Sequence, residues 1–177
     1  MKRLSIFVLA TFAVAAVVHV ATVWELPRFI MSKAMTKIAG NAQANLMLEP
    51  PLSDATARAV VRPSPDLAYS ICVLDLQKTP VRVHVPLTAP YTSVAFYSSA
   101  TDNYFVRNDR ELEGRDLDAI VVAPGAAKPA SVPAGVEVIE APTENGLVLV
   151  RRVVESPEAF PALDEVRKKA TCAPFEG

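Results

Sequence analysis

Tyr69-Ser70-Ile71-Cys72-Val73-Leu74-Asp75-Leu76, then Lys78-Thr79-Pro80, then Val81-Arg82-Val83-His84-Val85: this stretch decides the fold. In the first run Ser70, Cys72, Leu74 and Leu76 alternate with Tyr69, Ile71, Val73 and Asp75. In the second, Val81, Val83 and Val85 alternate with Arg82 and His84. Successive side chains of a strand point to opposite faces, so period-two patterning marks strands with one face in a core. Lys78-Thr79-Pro80 is the turn between them.

Outward from this pair the same logic continues. Pro86–Pro90 is a turn, and Tyr91–Ser99 is a third strand, aromatic and β-branched. Ala119–Ala123, Val136–Glu140 and Gly146–Val154 are further strands. Pro124–Ala134 is a loop, because Pro124, Pro129 and Pro133 cannot donate to a central ladder. One helix falls within Ser156–Ala170. Ser156 is a cap with Pro157 in the first turn, or the helix starts later, at Pro161. Phe160, Leu163, Val166 and Ala170 share one face, and Asp164 and Lys168 form an i,i+4 pair on another. Strands separated by turns predict a mainly β (α+β) domain over residues 58–177, an antiparallel β-sheet or β-sandwich with a C-terminal helix.

Upstream the chain changes character. Lys2 and Arg3 precede Leu4–Trp24, which contains no Asp, Glu, Lys or Arg. About 20 apolar residues suffice to cross a bilayer as a helix. Residues 1–24 therefore read as a single transmembrane anchor, ending in Trp24 at the interface. The rival is a cleaved signal peptide with Ala13-Val14-Ala15 as its site, but the apolar run continues to Val23, which a signal peptide does not need. His19 reads as reaching the interface from the outer end of the span. Arg28, Lys33 and Lys37 on the far side leave the charge asymmetry weak. The short basic tail still reads as a signal anchor in a bacterial inner membrane, with the following domain in the periplasm. Residues 25–57 read as a helical juxtamembrane segment and linker. In Phe29–Ala39, Ile30, Ala34 and Ile38 share a face beside Met31 and Met35. Gly40-Asn41 stops the helix, and Asn45–Leu52 ends at Pro50-Pro51.

Composition narrows the function classes. The net charge is −1 with no basic patch, which argues against nucleic acid. Two cysteines, Cys72 and Cys172, fit no zinc or CxxC spacing. They are a disulfide candidate in an oxidising compartment, or two small buried hydrophobes.

Val60–Leu76 carries a resemblance. It reads Val-Val-Arg-Pro-Ser-Pro-Asp-Leu-Ala-Tyr-Ser-Ile-Cys-Val-Leu-Asp-Leu. This is similar to the hallmark of the bacterial family called domain of unknown function 1254, an Arg-Pro-Asn-Pro-Asp-Thr-Leu-Tyr-Ser segment followed by a strand ending in Leu-Asp-Leu. Ser64 stands for the usual Asn, and Leu67-Ala68 for Thr-Leu. Pro80–Pro86, Tyr91–Asn103, Val122-Ala123-Pro124-Gly125 and Ala141-Pro142-Thr143 through Arg151-Arg152 resemble later elements of that family in the same order. The resemblance implies a short, membrane-anchored member. In longer relatives a second β-rich domain, of unknown function 1214, follows; here the expectation is that it is lacking. No chemistry comes with the resemblance.

Two polar clusters remain as ligand-binding candidates. Arg62, Asp66 and Tyr69 sit at a loop–strand junction stiffened by Pro63 and Pro65. As a pocket, Arg62 would bind an anion, Asp66 would orient it and Tyr69 would donate to it. As structure, Asp66 would hold a turn and Tyr69 would pack with its hydroxyl satisfied, and this reading is preferred. Tyr97, Asp102 and Asn103, with Tyr104, form the second cluster, and Asp102-Asn103 is also simply a turn dipeptide, the reading preferred here too. His84 alone makes no metal site, and no catalytic residue or cofactor is indicated. Arg107–Arg115 reads as a solvated charged loop.

The functional expectation is an envelope binding or interaction module rather than an enzyme. Its partner would be a 1214-type β-rich protein or a second copy of itself. Charged residues are 21% of the chain, below the usual ~25%, which points to an interface left uncharged. The alternative is a small-ligand binder, or an enzyme of unrecognised type, using the Arg62/Asp66/Tyr69 junction.

Overall fold

The computed structural model describes residues 2–40, 42–54, 56–58 and 62–176. Val60 and Val61, which open the family-like motif, and Asn41, the expected helix stop, lie outside the described residues. In chain order the elements are α1 (Lys2–Ala39), β1 (Met47–Leu48), β2 (Leu67–Asp75), β3 (Val81–Val85), β4 (Thr92–Ser98), β5 (Asn103–Asn108), β6 (Leu117–Val122), β7 (Glu137–Glu140), β8 (Asn145–Val153), α2 (Phe160–Arg167) and β9 (Thr171–Pro174).

The strands form two sheets, ordered β1-β2-β8-β4-β5 and β7-β6-β3-β9. Every pairing is antiparallel except β6 with β7, which run parallel. The alternation in β2 and β3 is the physical origin of the sandwich. In β2, Cys72 and Leu74 are buried while Ile71, Val73 and Asp75 are half-buried; in β3, Val81, Val83 and Val85 are buried while Arg82 and His84 are not. The inward rows of both sheets, with Val94, Phe96, Leu117, Ala119, Val121, Val148 and Val150, make one core. Each fully buried Val, Leu or Phe of this kind contributes about 1.5–3 kcal/mol over an exposed one.

Cys72 in β2 and Cys172 in β9 are bonded, with Cα atoms 6.4 Å apart and 100 residues between them. The disulfide ties one sheet to the other across this core.

The first helix runs unbroken through Pro27. At 1.5 Å per residue its 38 residues extend about 57 Å, against about 30 Å for a hydrocarbon layer. Its most apolar window has a mean hydropathy of 2.4, and the helix is long and apolar enough to cross a membrane. Leu4, Ile6, Phe7, Leu9, Phe12, Val17, Val20 and Trp24 stand exposed around it. Thr11 hides its hydroxyl by donating to the Phe7 carbonyl at 2.9 Å. At the far end Met31 is buried and Ala34, Met35 and Ile38 are half-buried, where the helix meets β2. The segment after Pro27 thus both continues the apolar helix and packs on the domain.

Three strands lay outside the sequence reading. Asn45–Leu52, expected to be a linker, instead supplies β1, with Met47 opposite Cys72 and Leu48 opposite Ile71. Asn45 fastens it, accepting from the Asp75 amide and donating to the Asp75 carbonyl, both at 2.8 Å. Arg107 and Asn108, expected in a solvated loop, close β5, and Leu112 beyond them is buried. Thr171–Pro174 forms β9 because it finds β3. Short strands without alternation of their own exist only through such partners.

Candidate functional site

At the Arg62/Asp66/Tyr69 junction the Tyr69 hydroxyl and the Asp66 backbone make hydrogen bonds. The Ser64 amide donates to the Tyr69 hydroxyl at 3.0 Å, and the Asp66 carbonyl accepts from Val154 at 2.9 Å. Arg62 and Asp66 are exposed, and Tyr69 is half-buried on the outer row of β2. The phenol oxygen is thus already engaged by the loop.

The second cluster sits in a turn. Asp102 lies between β4 and β5, and its carboxylate accepts from the Ser98 hydroxyl at 3.2 Å, while its amide donates back to that oxygen at 3.2 Å. Asn103 opens β5 and is exposed, and Tyr97 pairs with it across a register shift. Thr101 takes a left-handed φ of 74°, as a tight connection requires. The two clusters do not meet: one lies where β2 begins, the other where β4 ends.

His84 faces Asp116 and Asp118 at 3.8 and 3.9 Å on the outer side of its sheet. Arg82 binds Asp118 through both carboxylate oxygens, at 2.9 and 2.6 Å, and this donor holds the Asp118 carboxyl below the usual aspartate range.

The strongest concentration of buried charge is elsewhere, at the end of the sandwich under α2. Arg152 lies in phase with Val148 and Val150, so the pleat turns it into the interior, where it is 0% exposed. It sits opposite Ala68 and Thr92. One terminal nitrogen donates to the Ser70 hydroxyl at 3.3 Å and the other to the Pro86 carbonyl at 3.1 Å. Its Nε has no partner. Burial and the like charge of Arg167 lower its pKa to about 10.

Arg167 closes the same end from α2. Its Nε donates to Asp164 at 2.8 Å, and one terminal nitrogen donates to the carbonyls of Pro50 and Tyr69, at 2.8 and 3.0 Å. The reason lies in β1. Continuing its register past Leu48 opposite Ile71 brings Pro50 opposite Tyr69. Proline has no amide hydrogen to give the ladder, so the guanidinium donates to both strands instead. Glu49, one residue earlier, falls opposite Ser70 on the inward row. Desolvation raises its carboxyl pKa, against the opposing pull of Arg167 and Arg152.

Glu49, Arg152 and Arg167 were not singled out from the sequence. For Arg152 a signal existed: a cation on the apolar phase of Gly146–Val154. Arg167 and Glu49 gave none, because only the docking of α2 and the pairing of β1 bring them together.

A sequence model of the family described as protein of unknown function (DUF1254) matches residues 44–174. The chain belongs to this family. Among solved structures, this DUF1254 chain is similar to the VPA0106 protein from Vibrio parahaemolyticus, with a TM-score of 0.69 at 16% identity. The match covers 88% of this chain and 37% of that one, and it shows the shared fold. An uncharacterized protein from Burkholderia cenocepacia aligns with a TM-score of 0.46 at 16% identity, over 76% of this chain and 37% of that one. No curated protein matches the chain. The DUF1254 match begins at residue 44 and so takes in β1, in keeping with its place in the sheet.

Proposed function

We propose that this DUF1254 chain is a membrane-tethered binding module held outside the bacterial inner membrane, in the periplasm. The observation that carries the reading is an apolar helix that packs at its far end on a disulfide-locked sandwich. The helix ends packed on β2, the strand that holds Cys72. Disulfides persist in oxidising compartments and are rare in reducing ones, so the bond favours an exported domain where the flanking charges alone do not. A reporter fused after Gly177, active only when exported, tests the orientation. Export activity with an intact amino terminus is expected. Cytoplasmic activity reverses the orientation, and a mature chain beginning at Ala16 replaces the anchor with a cleaved signal.

The proposed partner is a separate β-rich protein of the 1214 type, with self-association as the alternative. In the Vibrio protein the matching part is 37% of the chain, so there the fold adjoins further structure. The exposed large apolar side chains of the β domain, among the described residues, are Leu46, Tyr91, Val106 and Val132, on separate segments. A broad apolar face is therefore not the means of contact. The outer edge of β5, whose other side pairs with β4, offers backbone donors and acceptors for strand addition. Cross-linking in native membranes followed by mass spectrometry is the test. A β-rich partner or a second copy is expected, and recovery of uncross-linked monomer alone defeats the proposal.

A further inference from the structure

We propose that the α2 end of the sandwich binds a small anion, a carboxylate or phosphate group, between Arg152 and Arg167, with Glu49 as a nearby carboxylate that competes with it. This goes beyond the tethered-module reading and holds for either membrane orientation.

The starting point is an interior cation without a counter-ion. A guanidinium carries five N–H donors. Arg152 directs hydrogen bonds at two neutral oxygens, of Ser70 and Pro86, and its Nε at none. Among the described residues no carboxylate reaches it as an ion pair. Taking an ion out of water costs several kcal/mol, which an opposite charge in good geometry offsets. Arg152 has the cost without that offset.

The neighbours do not close the gap. Arg167 adds a second buried cation, already committed to Asp164, Pro50 and Tyr69. Asp164 is shared with Lys168 at 2.7 Å. Glu49 makes no hydrogen bond or ion pair with either arginine, and burial is the main cause of its raised pKa. Three cations thus face two carboxylates, one of which only approaches. A planar fork with free donors suits the paired oxygens of a carboxylate or phosphate.

Glu49 is half-buried and continues β1, the edge strand of its sheet. It follows a two-residue strand and precedes Pro50-Pro51, which cannot donate amide hydrogens to β2. Few backbone bonds therefore resist its displacement, and Arg167 remains to hold Pro50 in place.

The test uses the full chain in detergent micelles. Inorganic phosphate or acetate is titrated at constant ionic strength against chloride, read by the thermal midpoint and, for phosphate, by phosphorus NMR line width. A saturable rise in midpoint is expected with one anion, and which anion acts assigns the ligand class. Glu49→Gln should tighten that anion several-fold, because the competing carboxylate is gone. Arg152→Met should fold and lose the saturable effect, since exchanging a buried charge for an apolar side chain is often tolerated. Arg82→Met, on the outer face of the other sheet, should bind as the parent does. No saturable shift with either anion in both the parent and Glu49→Gln overturns the site, whether or not Arg152→Met folds. So does binding that Arg152→Met retains or Arg82→Met loses.

Discussion

Two arginines on this sandwich meet opposite circumstances. Arg82, on the outer face of β3, has a carboxylate matched to both arms of its fork and stays 40% exposed. Arg152, on the inner face of β8, has no carboxylate and no exposure. Geometry alone would rank the first as the stronger interaction. Energetically the second region matters more, because water screens an exposed pair to a fraction of a kcal/mol, whereas interior charge is unscreened. The lesson is that the value of a charged group here is set by what surrounds it, and at the α2 end one buried cation is fully engaged while the other keeps a free donor.

The most forceful way to break this comparison is to unlock the interior. Replacing Cys72 and Cys172 with Ala should cost about 2–5 kcal/mol by chemical denaturation, since the bond closes a loop of 100 residues. If the double variant loses less than about 1 kcal/mol, the packed core holds the two sheets without the cross-link.

Next, Arg167→Ala should cost about 2–4 kcal/mol, because it strips charged donors from the Pro50 and Tyr69 carbonyls. Hydrogen exchange at Leu48 and Ile71 should rise as β1 loosens. A loss no greater than that of an exposed pair removes the distinction between the two regions.

A backbone test follows. Gly146 pairs with Ser98, and a Cβ there would come within 2.5 Å of the Tyr97 carbonyl oxygen. Gly146→Ala should therefore destabilise by about 1–3 kcal/mol, the range for overpacking a filled interior. An unchanged midpoint would mean that β8 and β4 can move apart where Gly146 meets Ser98.

The smallest effect belongs to the exposed pair. Arg82→Ala should cost below about 1 kcal/mol, and less as salt is added. The pH dependence has a definite sign. Hydrogen bonding to Arg82 lowers the Asp118 pKa below its ordinary value of 3.8, so folding favours the ionised form. That contribution is complete above the unfolded-state value and is lost as pH falls through the lower folded-state value. Acid unfolding of the parent and of Arg82→Ala should therefore converge below pH 3.8. Convergence at neutral pH would instead mean that the pair contributes nothing.

Much of the fold was legible along the chain. The alternation of Tyr69–Leu76 and Val81–Val85 anticipates β2 and β3 because a pleat converts sequence parity directly into inside and outside. Uncharged length does the same for α1: its ability to span a bilayer follows from composition and needs no tertiary contact. The order of Pro, Asp and Tyr motifs pointed to DUF1254 for the same local reason. What parity and composition carry no record of is which distant segments meet. β1, β5 and β9 are too short or too polar to announce themselves, and they exist because β2, β4 and β3 offer open edges. The Cys72–Cys172 bond needed the two sheets to be stacked before it could be told from two buried thiols. Arg62, Asp66 and Tyr69 were conspicuous as neighbours in sequence, yet Arg62 and Asp66 stand exposed and the Tyr69 hydroxyl is bonded to the loop. Glu49, Arg152 and Arg167 lie on three different elements, and only the docking of α2 and the pairing of β1 make them neighbours. Proximity in three dimensions depends on long-range pairing and packing, and so, beyond the inward parity of Arg152, the interior charge site was decided by the tertiary structure.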